Sequence, residues 1–399
     1  MKLETKLVHG GEPRIEGAVS MPVFQSSTYA QPEGAPYDDI RYLRLNNSPN
    51  HEALHAKLAA IDGAQAALVA ASGMAAITTT LLTVADPGDH VLVQSGLYGG
   101  TFSFIRDQFR RFGIAYTIVD ATDPAAWDAA VTDRTVAFYL ETITNPTLEV
   151  ASVVEAAAFC RARGIVSVVD NTFASPVNFR PVEHGVDIVV QSATKYLNGH
   201  SDIVAGAITG SEHWIVRIRH ELNHWGGCLD PHACVLLQRG MKTLALRVRQ
   251  QNATAEALAR VLQEHPVVGR VNYPALESHP QHAYVRRYFD GSGGVVSFEL
   301  TDGAVASAMV ERLRLVIRAP SLGGTESLVV LPAQSSHAGL TARERATLGI
   351  GEGLVRLSVG IEAGPGRNPE LHTPPELQEK INRARNRKRS RPAPHYRSR

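Results

Sequence analysis

Lys195 and Asp170 are the two residues of this chain whose types and placement can do chemistry together. Each follows a short apolar run. Ile165-Val166-Ser167-Val168-Val169 ends in Asp170, and Ile188-Val189-Val190 leads through Gln191-Ser192-Ala193-Thr194 to Lys195. Short β-branched runs bounded by polar residues read as buried parallel strands. In such sheets a ligand sits in the crevice beyond the carboxyl ends of the strands. An amine and a carboxylate delivered there suit pyridoxal phosphate (PLP). The amine forms the Schiff base, and the carboxylate keeps the pyridine nitrogen protonated.

A phosphate on such a cofactor needs several donors in a small space. Ser72-Gly73-Met74 closes the apolar run from Ala66 to Ala71 and opens a helical stretch from Ala75. A helix N-terminus offers free N–H groups and partial positive charge, and Gly73 lets the backbone come close. The hydroxyls of Ser192 and Thr194 stand just before Lys195 and can add donors. The bland alternative is that Ser72-Gly73 only caps a helix.

These residues need an α/β frame. The pattern predicts helices over 51–62, 74–84, 100–112 and 152–163, alternating with strands over 66–71, 90–94, 115–119, 135–140, 165–169, 186–190 and 203–209. That alternation argues for a mostly parallel central sheet. Residues 1–50 read as an extended arm with turns, and 51–245 as the α/β domain that would bind the cofactor. From 246 the texture changes to a long helix over 253–263, a strand over 294–300, a helix near 304–313 and an apolar run at 315–317, a smaller C-terminal α+β domain to 364. Residues 365–399 form a basic tail read as disordered.

The bulk numbers narrow the class. At 399 residues with 44% apolar content the chain can bury a full core. Its formal net charge is +1, yet residues 383–399 hold eight Lys/Arg and no acid, so the remainder stands at −7. Nothing in that body suggests a nucleic-acid surface. Cys160, Cys228 and Cys234 lack disulfide or metal-ligand spacing. No apolar stretch reaches the roughly 20 residues of a membrane helix, and a cytoplasmic protein is expected. His51-Glu52-Ala53-Leu54-His55 spells a zinc-protease pattern, but chance matches to so short a motif are common, and no metal is expected.

Eight motifs in order make the chain resemble the Cys/Met-metabolism branch of PLP enzymes, which holds cystathionine γ-synthase, cystathionine β- and γ-lyases and methionine γ-lyase. They are Ala71-Ser72-Gly73-Met74, Tyr98-Gly99-Gly100-Thr101, Glu141 to Asn145-Pro146, and Val168-Val169-Asp170-Asn171-Thr172. Ser192-Ala193-Thr194-Lys195-Tyr196 with Gly199-His200-Ser201-Asp202, Arg239 to Leu244, Ser321-Leu322-Gly323-Gly324 and Arg356 to Gly360 follow. The resemblance implies a PLP-dependent transferase fold of type I, with Lys195 as Schiff-base lysine and proton shuttle and Asp170 on the pyridinium nitrogen. It implies Tyr98 stacked on the ring, and Ser72, Gly73, Met74, Ser192 and Thr194 around the phosphate. Tyr42 and Arg44 match a Tyr-x-Arg pair that reaches the phosphate of a neighbouring subunit, so a dimer is the minimum unit and a homotetramer is expected. Arg356, helped by Asn145 and Ser321, would grip the substrate carboxylate.

Within the resembled branch, cystathionine enzymes usually carry a glutamate before Ser-Leu-Gly-Gly, suited to a distal ammonium; here Pro320 holds that place. Methionine γ-lyases typically have cysteine where this chain has Gly100, and a Lys-Asp pair absent from Trp225 to Leu229. The expectation is a C–S γ-lyase acting on methionine or a related thioether. The alternatives are a cystathionine γ-lyase, a γ-synthase using an activated homoserine, and, in another class, a PLP-binding regulator or scaffold. Two departures stand out. The loop from Tyr42 to Asn50 is about one residue longer than the family spacing, and Gly364-Pro365-Gly366-Arg367 with the basic tail replaces the usual closing helix.

Overall fold

Seven short strands build the larger of two sheets: β1 (Ala66–Ala70), β2 (His90–Gln94), β3 (Ala115–Val119), β4 (Thr135–Glu141), β5 (Val166–Asp170), β6 (Ile188–Ser192) and β7 (Gly206–Gly210). The computed structural model describes residues 1–31, 33–34 and 40–363. The spatial order is β1-β7-β6-β5-β4-β2-β3, parallel from β6 to β3, with β7 antiparallel to both of its neighbours. Both faces are covered, which is why the strands are apolar throughout rather than alternating with polar residues. Along β1, Ala67 and Val69 enter one core with Leu54, Leu58 and Phe138, while Leu68 and Ala70 enter the other with Ile77, Val93 and Ile215.

The helices that cover this sheet start on sequence-encoded caps. Ser48 Oγ accepts the His51 N–H to open helix Pro49–Asp62, and Ser211 Oγ accepts from Trp214 to open helix Glu212–Trp225. Helix Val153–Arg163 joins the first on one face, and helix Gly73–Val84 lies on the other. The second sheet holds β8 (Val268–Asn272), β9 (Val295–Leu300), β10 (Ile317–Arg318), β11 (Leu328–Val330) and β12 (Leu354–Ser358), ordered β10-β11-β12-β9-β8. Its core brings Ala255 and Leu258 of helix Leu244–Gln263 against Val296, Phe298, Val355 and Leu357.

Several expectations change in detail. Residues 3–9 of the supposed extended arm are helical. Glu12 anchors the arm by ion pairs to the buried Lys57 and to Lys242. The stretch 100–112 is helical from Gly99, but a π turn over Ile105–Phe109 interrupts it. Of the apolar run at 315–317, only Ile317 enters a strand, Ile317–Arg318. Helices Glu212–Trp225 and Pro231–Met241 were not foreseen. The readings of residues 364–399 as an altered C-terminus and disordered tail lie outside the described residues.

His51 of the protease-like motif has both ring nitrogens engaged, Nδ1 with Ser48 Oγ at 2.7 Å and Nε2 with the Leu229 carbonyl at 2.8 Å. Among the described residues, no three His, Cys, Asp or Glu side chains gather in a way that could hold a metal. Nor is any described helix long and apolar enough to cross a membrane.

Candidate active site

The carboxyl ends of β4, β5 and β6 open onto a cavity of about 690 Å³. Asp170 is the last residue of β5, and Lys195 stands in the turn three residues past β6. Both line the cavity, as their positions beyond neighbouring parallel strands require.

Asp170 is held by a relay that starts at the next strand. The Ser192 N–H donates to Thr172 Oγ1 at 2.8 Å, and that hydroxyl donates to Asp170 Oδ1. The Thr172 N–H donates to the same oxygen at 2.9 Å. Burial pushes the Asp170 carboxyl upward, while the Thr172 and Tyr139 hydrogen bonds oppose that shift. Glu141 is the cross-strand neighbour of Asp170, equally buried at the end of β4. Burial first, and the Asp170 charge second, drive the Glu141 carboxyl well above the usual range. Of this pair, Glu141 is driven further toward its protonated form than Asp170. The relay supplies the reason, since Asp170 has hydroxyl and amide donors whereas Glu141 has the Tyr98 N–H at 2.6 Å.

Lys195 Nζ donates to Ser321 Oγ at 3.0 Å, joining residues 126 apart in sequence. Burial, with the Arg356 charge beside it, lowers the amine from its usual range. Arg356 lies inside β12, paired with Ser297 of β9 and Val330 of β11. Its guanidinium donates to Asn145 Oδ1 at 2.8 Å and to the Ser321 carbonyl at 2.9 Å. Its Nε is buried with no partner among the described residues. A buried charged donor without an acceptor points to an acceptor the chain does not itself provide. Ser321 meets both cations by holding φ at +125°, a conformation non-glycine residues rarely adopt.

The remaining expected residues divide. Ser72, Gly73 and Met74 line the cavity, and the N–H groups of Gly73 and Met74 open helix Gly73–Val84 without acceptors inside it. A Cβ on Gly73 would stand 2.8 Å from Ser192 Cβ, so only glycine lets Ser192 close over this helix end. The site therefore fits a phosphate. Thr194 lines the cavity as well, but its hydroxyl donates to the Ala205 carbonyl and accepts the Ala205 N–H, so its proton is already committed. Tyr98 lines the mouth, and a Cβ at Gly100 would meet its ring at 2.5 Å. Tyr42 and Arg44 are not brought to this cavity by their own chain. Arg44 donates to the Asn223 carbonyl at 3.0 Å, with its guanidinium over the Tyr42 ring.

Sequence reasoning gave no role to Glu141, Thr172 or the pair Ser336–His337. Glu141 ends an apolar run as Asp170 does, and that signal was readable. Ser336 lines the cavity and pairs its Oγ with His337 Nδ1 at 2.9 Å; the segment carries no periodicity that would place it there.

A lysine and an aspartate beyond neighbouring parallel strands, a helix N-terminus beside them and an arginine fork from the second sheet define a PLP-dependent enzyme of fold type I. More narrowly, the chain belongs to the family of Cys/Met metabolism PLP-dependent enzymes, whose sequence profile matches residues 4–365. It is 42% identical over 366 residues to the L-methionine gamma-lyase of Pseudomonas putida, covering 89% of this chain and 92% of that one. It is 40% identical over 364 residues to the cystathionine beta-lyase of Lactococcus lactis subsp. cremoris, covering 90% and 95%. The crystal structure of cystathionine gamma-lyase from Lactobacillus plantarum complexed with L-serine superposes with a TM-score of 0.88 at 37% identity, covering 93% of this chain and 97% of that one.

Proposed function

We propose that this PLP-dependent enzyme of Cys/Met metabolism is a C–S γ-lyase that cleaves methionine or a related neutral thioether to a thiol, 2-oxobutyrate and ammonia. The observation that carries this reading is the composition of the cavity wall. Its acids are Glu141 and Asp170, both at strand ends beside the relay, whereas Pro320, Leu322, Val330 and Val204 line the side toward the second sheet. Leu322 and Val330 are buried whereas Pro320 and Val204 are exposed, so a distal ammonium held against Leu322 and Val330 would be unpaired and costly, while a methylthio group would not.

When bound, pyridoxal phosphate supplies an aldehyde for the lysine and an electron sink for charge developing at the substrate Cα. The residues do the rest by position and protonation. Arg356, fixed by Asn145 and Ser321, holds the α-carboxylate through its free donors. The lowered Lys195 amine, tethered to Ser321 Oγ, moves protons at Cα and then at Cβ. Asp170 would keep the pyridine nitrogen protonated, Tyr98 would stack on the ring, and the Gly73–Met74 helix end with Ser192 would hold the phosphate. In this reading residues 51–245 hold the cofactor and 246–364 supply the carboxylate grip in a cytoplasmic enzyme. Tyr42 and Arg44 serve a neighbouring subunit of a dimer or tetramer.

One observation favours cystathionine as the second reading. A cleft beyond Pro320 and Ser321 adjoins the cavity and carries Asp202 and Glu326, which could receive a distal ammonium. The test is incubation of the holoenzyme with L-methionine and L-cystathionine, separating 2-oxobutyrate from pyruvate. 2-Oxobutyrate from methionine is expected. Product from cystathionine alone would move the assignment to the cystathionine lyases, with pyruvate marking β- rather than γ-elimination. Product only with an activated homoserine and a thiol would make it a synthase.

A further inference from the structure

The segment from Thr142 to Val150 is a wall between two cavities. Ile143 and Asn145 face the reaction cavity, while Thr144, Thr147 and Glu149 line a second cleft of about 390 Å³ on its other side. The opposite wall of that cleft is β8, where Arg270 and Asn272 share one face by strand alternation. Neither Glu149 nor Arg270 closes an ion pair among the described residues, although the Arg270 charge acts on the neighbouring Glu299 carboxyl. Among the described residues, the Glu149 carboxylate has no ion pair and no hydrogen bond, although burial raises its pKa. Arg270 makes one hydrogen bond, to the Gly349 carbonyl at 3.2 Å, and its cross-strand neighbour Glu299 closes no ion pair with it. The Asn272 Nδ2 is buried and has no acceptor.

The buried, unpartnered Asn272 Nδ2 carries a cost that a ligand would remove, since buried polar groups are ordinarily partnered, while Arg270 is exposed and Glu149 half-buried. Arg270 and Asn272 offer donors suited to a carboxylate, and Glu149 offers the counter-charge for an ammonium. We propose that this cleft is a second binding site for a free α-amino acid, its carboxylate held by Arg270 and Asn272 and its ammonium by Glu149. The site is separate from the reaction cavity. It shares with it the loop segment that carries Asn145, a partner of Arg356. His279, also in the cleft, has both ring nitrogens engaged, with Leu148 and Gln281, and takes no part.

The test is calorimetric titration of L-serine and L-methionine into holoenzyme carrying Arg356→Ala and reduced with borohydride. Reduction fixes the coenzyme to Lys195 as a secondary amine, and the substitution removes the carboxylate grip, so the reaction cavity is silent. One site per chain is expected. Arg270→Ala and Glu149→Gln should each weaken binding by about tenfold or more, the loss of a charge-assisted pair. Acetate and methylamine, each carrying one of the two charges, should not bind measurably. Arg270 is exposed, so its loss should leave the melting temperature unchanged. No binding of either amino acid, binding that survives either replacement, or acetate binding as tightly as L-serine overturns the proposal. None of these outcomes depends on which thioether the enzyme cleaves.

Discussion

Ser321 is a small residue under unusual demand, because one backbone twist aims its hydroxyl at Lys195 and its carbonyl at Arg356. A non-glycine residue at φ +125° costs on the order of 1–3 kcal/mol, stored where two cations must be fixed. Ser321→Ala and Ser321→Gly both remove the hydroxyl, but only glycine relieves the twist. Both variants should lose about tenfold in kcat/KM, and the glycine variant should be more stable than the alanine variant by about 1 kcal/mol in urea unfolding. The buried carboxyl pair gives a sharper contrast. Burial and the Asp170 charge drive the Glu141 carboxyl toward its neutral form, so Glu141→Gln should leave kcat/KM at neutral pH within about threefold of wild type. Asp170→Asn removes the charge that the Thr172 relay sustains and should cost at least about 100-fold. Comparable losses in the two variants would show that the charge is shared rather than held at Asp170.

The helices and strands that carry these residues have electrostatics of their own. Asp62, the last residue of helix Pro49–Asp62, is buried against β6 and β7, with Oδ2 accepting from Thr209 and Gln191 and Oδ1 unpartnered. Burial raises its pKa from 3.8 to about 6. The folded state therefore binds this proton more tightly than the unfolded state. The stability linked to it is fully present below pH 3.8 and is lost as pH rises through 6. Asp62→Asn should flatten that dependence, gaining about 3 kcal/mol over wild type at pH 8 and less than about 1 kcal/mol at pH 4, as read from paired denaturation curves. The strands themselves were readable because continuous apolar runs have few alternatives once both faces are covered. Lys195 and Asp170 were legible for the same reason, each following such a run. β12 was not foreseen because Leu354 and Val355 are too short a run before Arg356 to announce it. Helix Glu212–Trp225 buries only Ile215, Ile218 and Leu222, a stripe thin enough to be missed among its charged and histidine residues. Contacts such as Lys195 with Ser321 depend on how the second sheet docks, which no local pattern encodes.

For the molecule as a whole, the cavity brings together residues from both sheets, yet Tyr42 and Arg44 lie outside it. Their place at the chain's own surface, with Tyr42 39% exposed, fits the proposal that they complete the phosphate site of a neighbouring subunit. That arrangement has a consequence that separates it from a merely local role. A Lys195→Ala chain lacks the catalytic amine but retains a normal Arg44. An Arg44→Ala chain has the amine but offers its neighbour no guanidinium. If sites are shared, each variant alone should be weak or inactive. A mixed dimer should regain one complete site, formed by Lys195 of one chain and Arg44 of the other. Subunits exchanged by dilution and reconcentration should then show activity above the sum of the two parents, with coenzyme retained at the restored site. Activity no greater than the sum, in mixtures where differently tagged chains are shown to have exchanged, would place Arg44 in service of its own chain. The contact with the Asn223 carbonyl would then be its purpose.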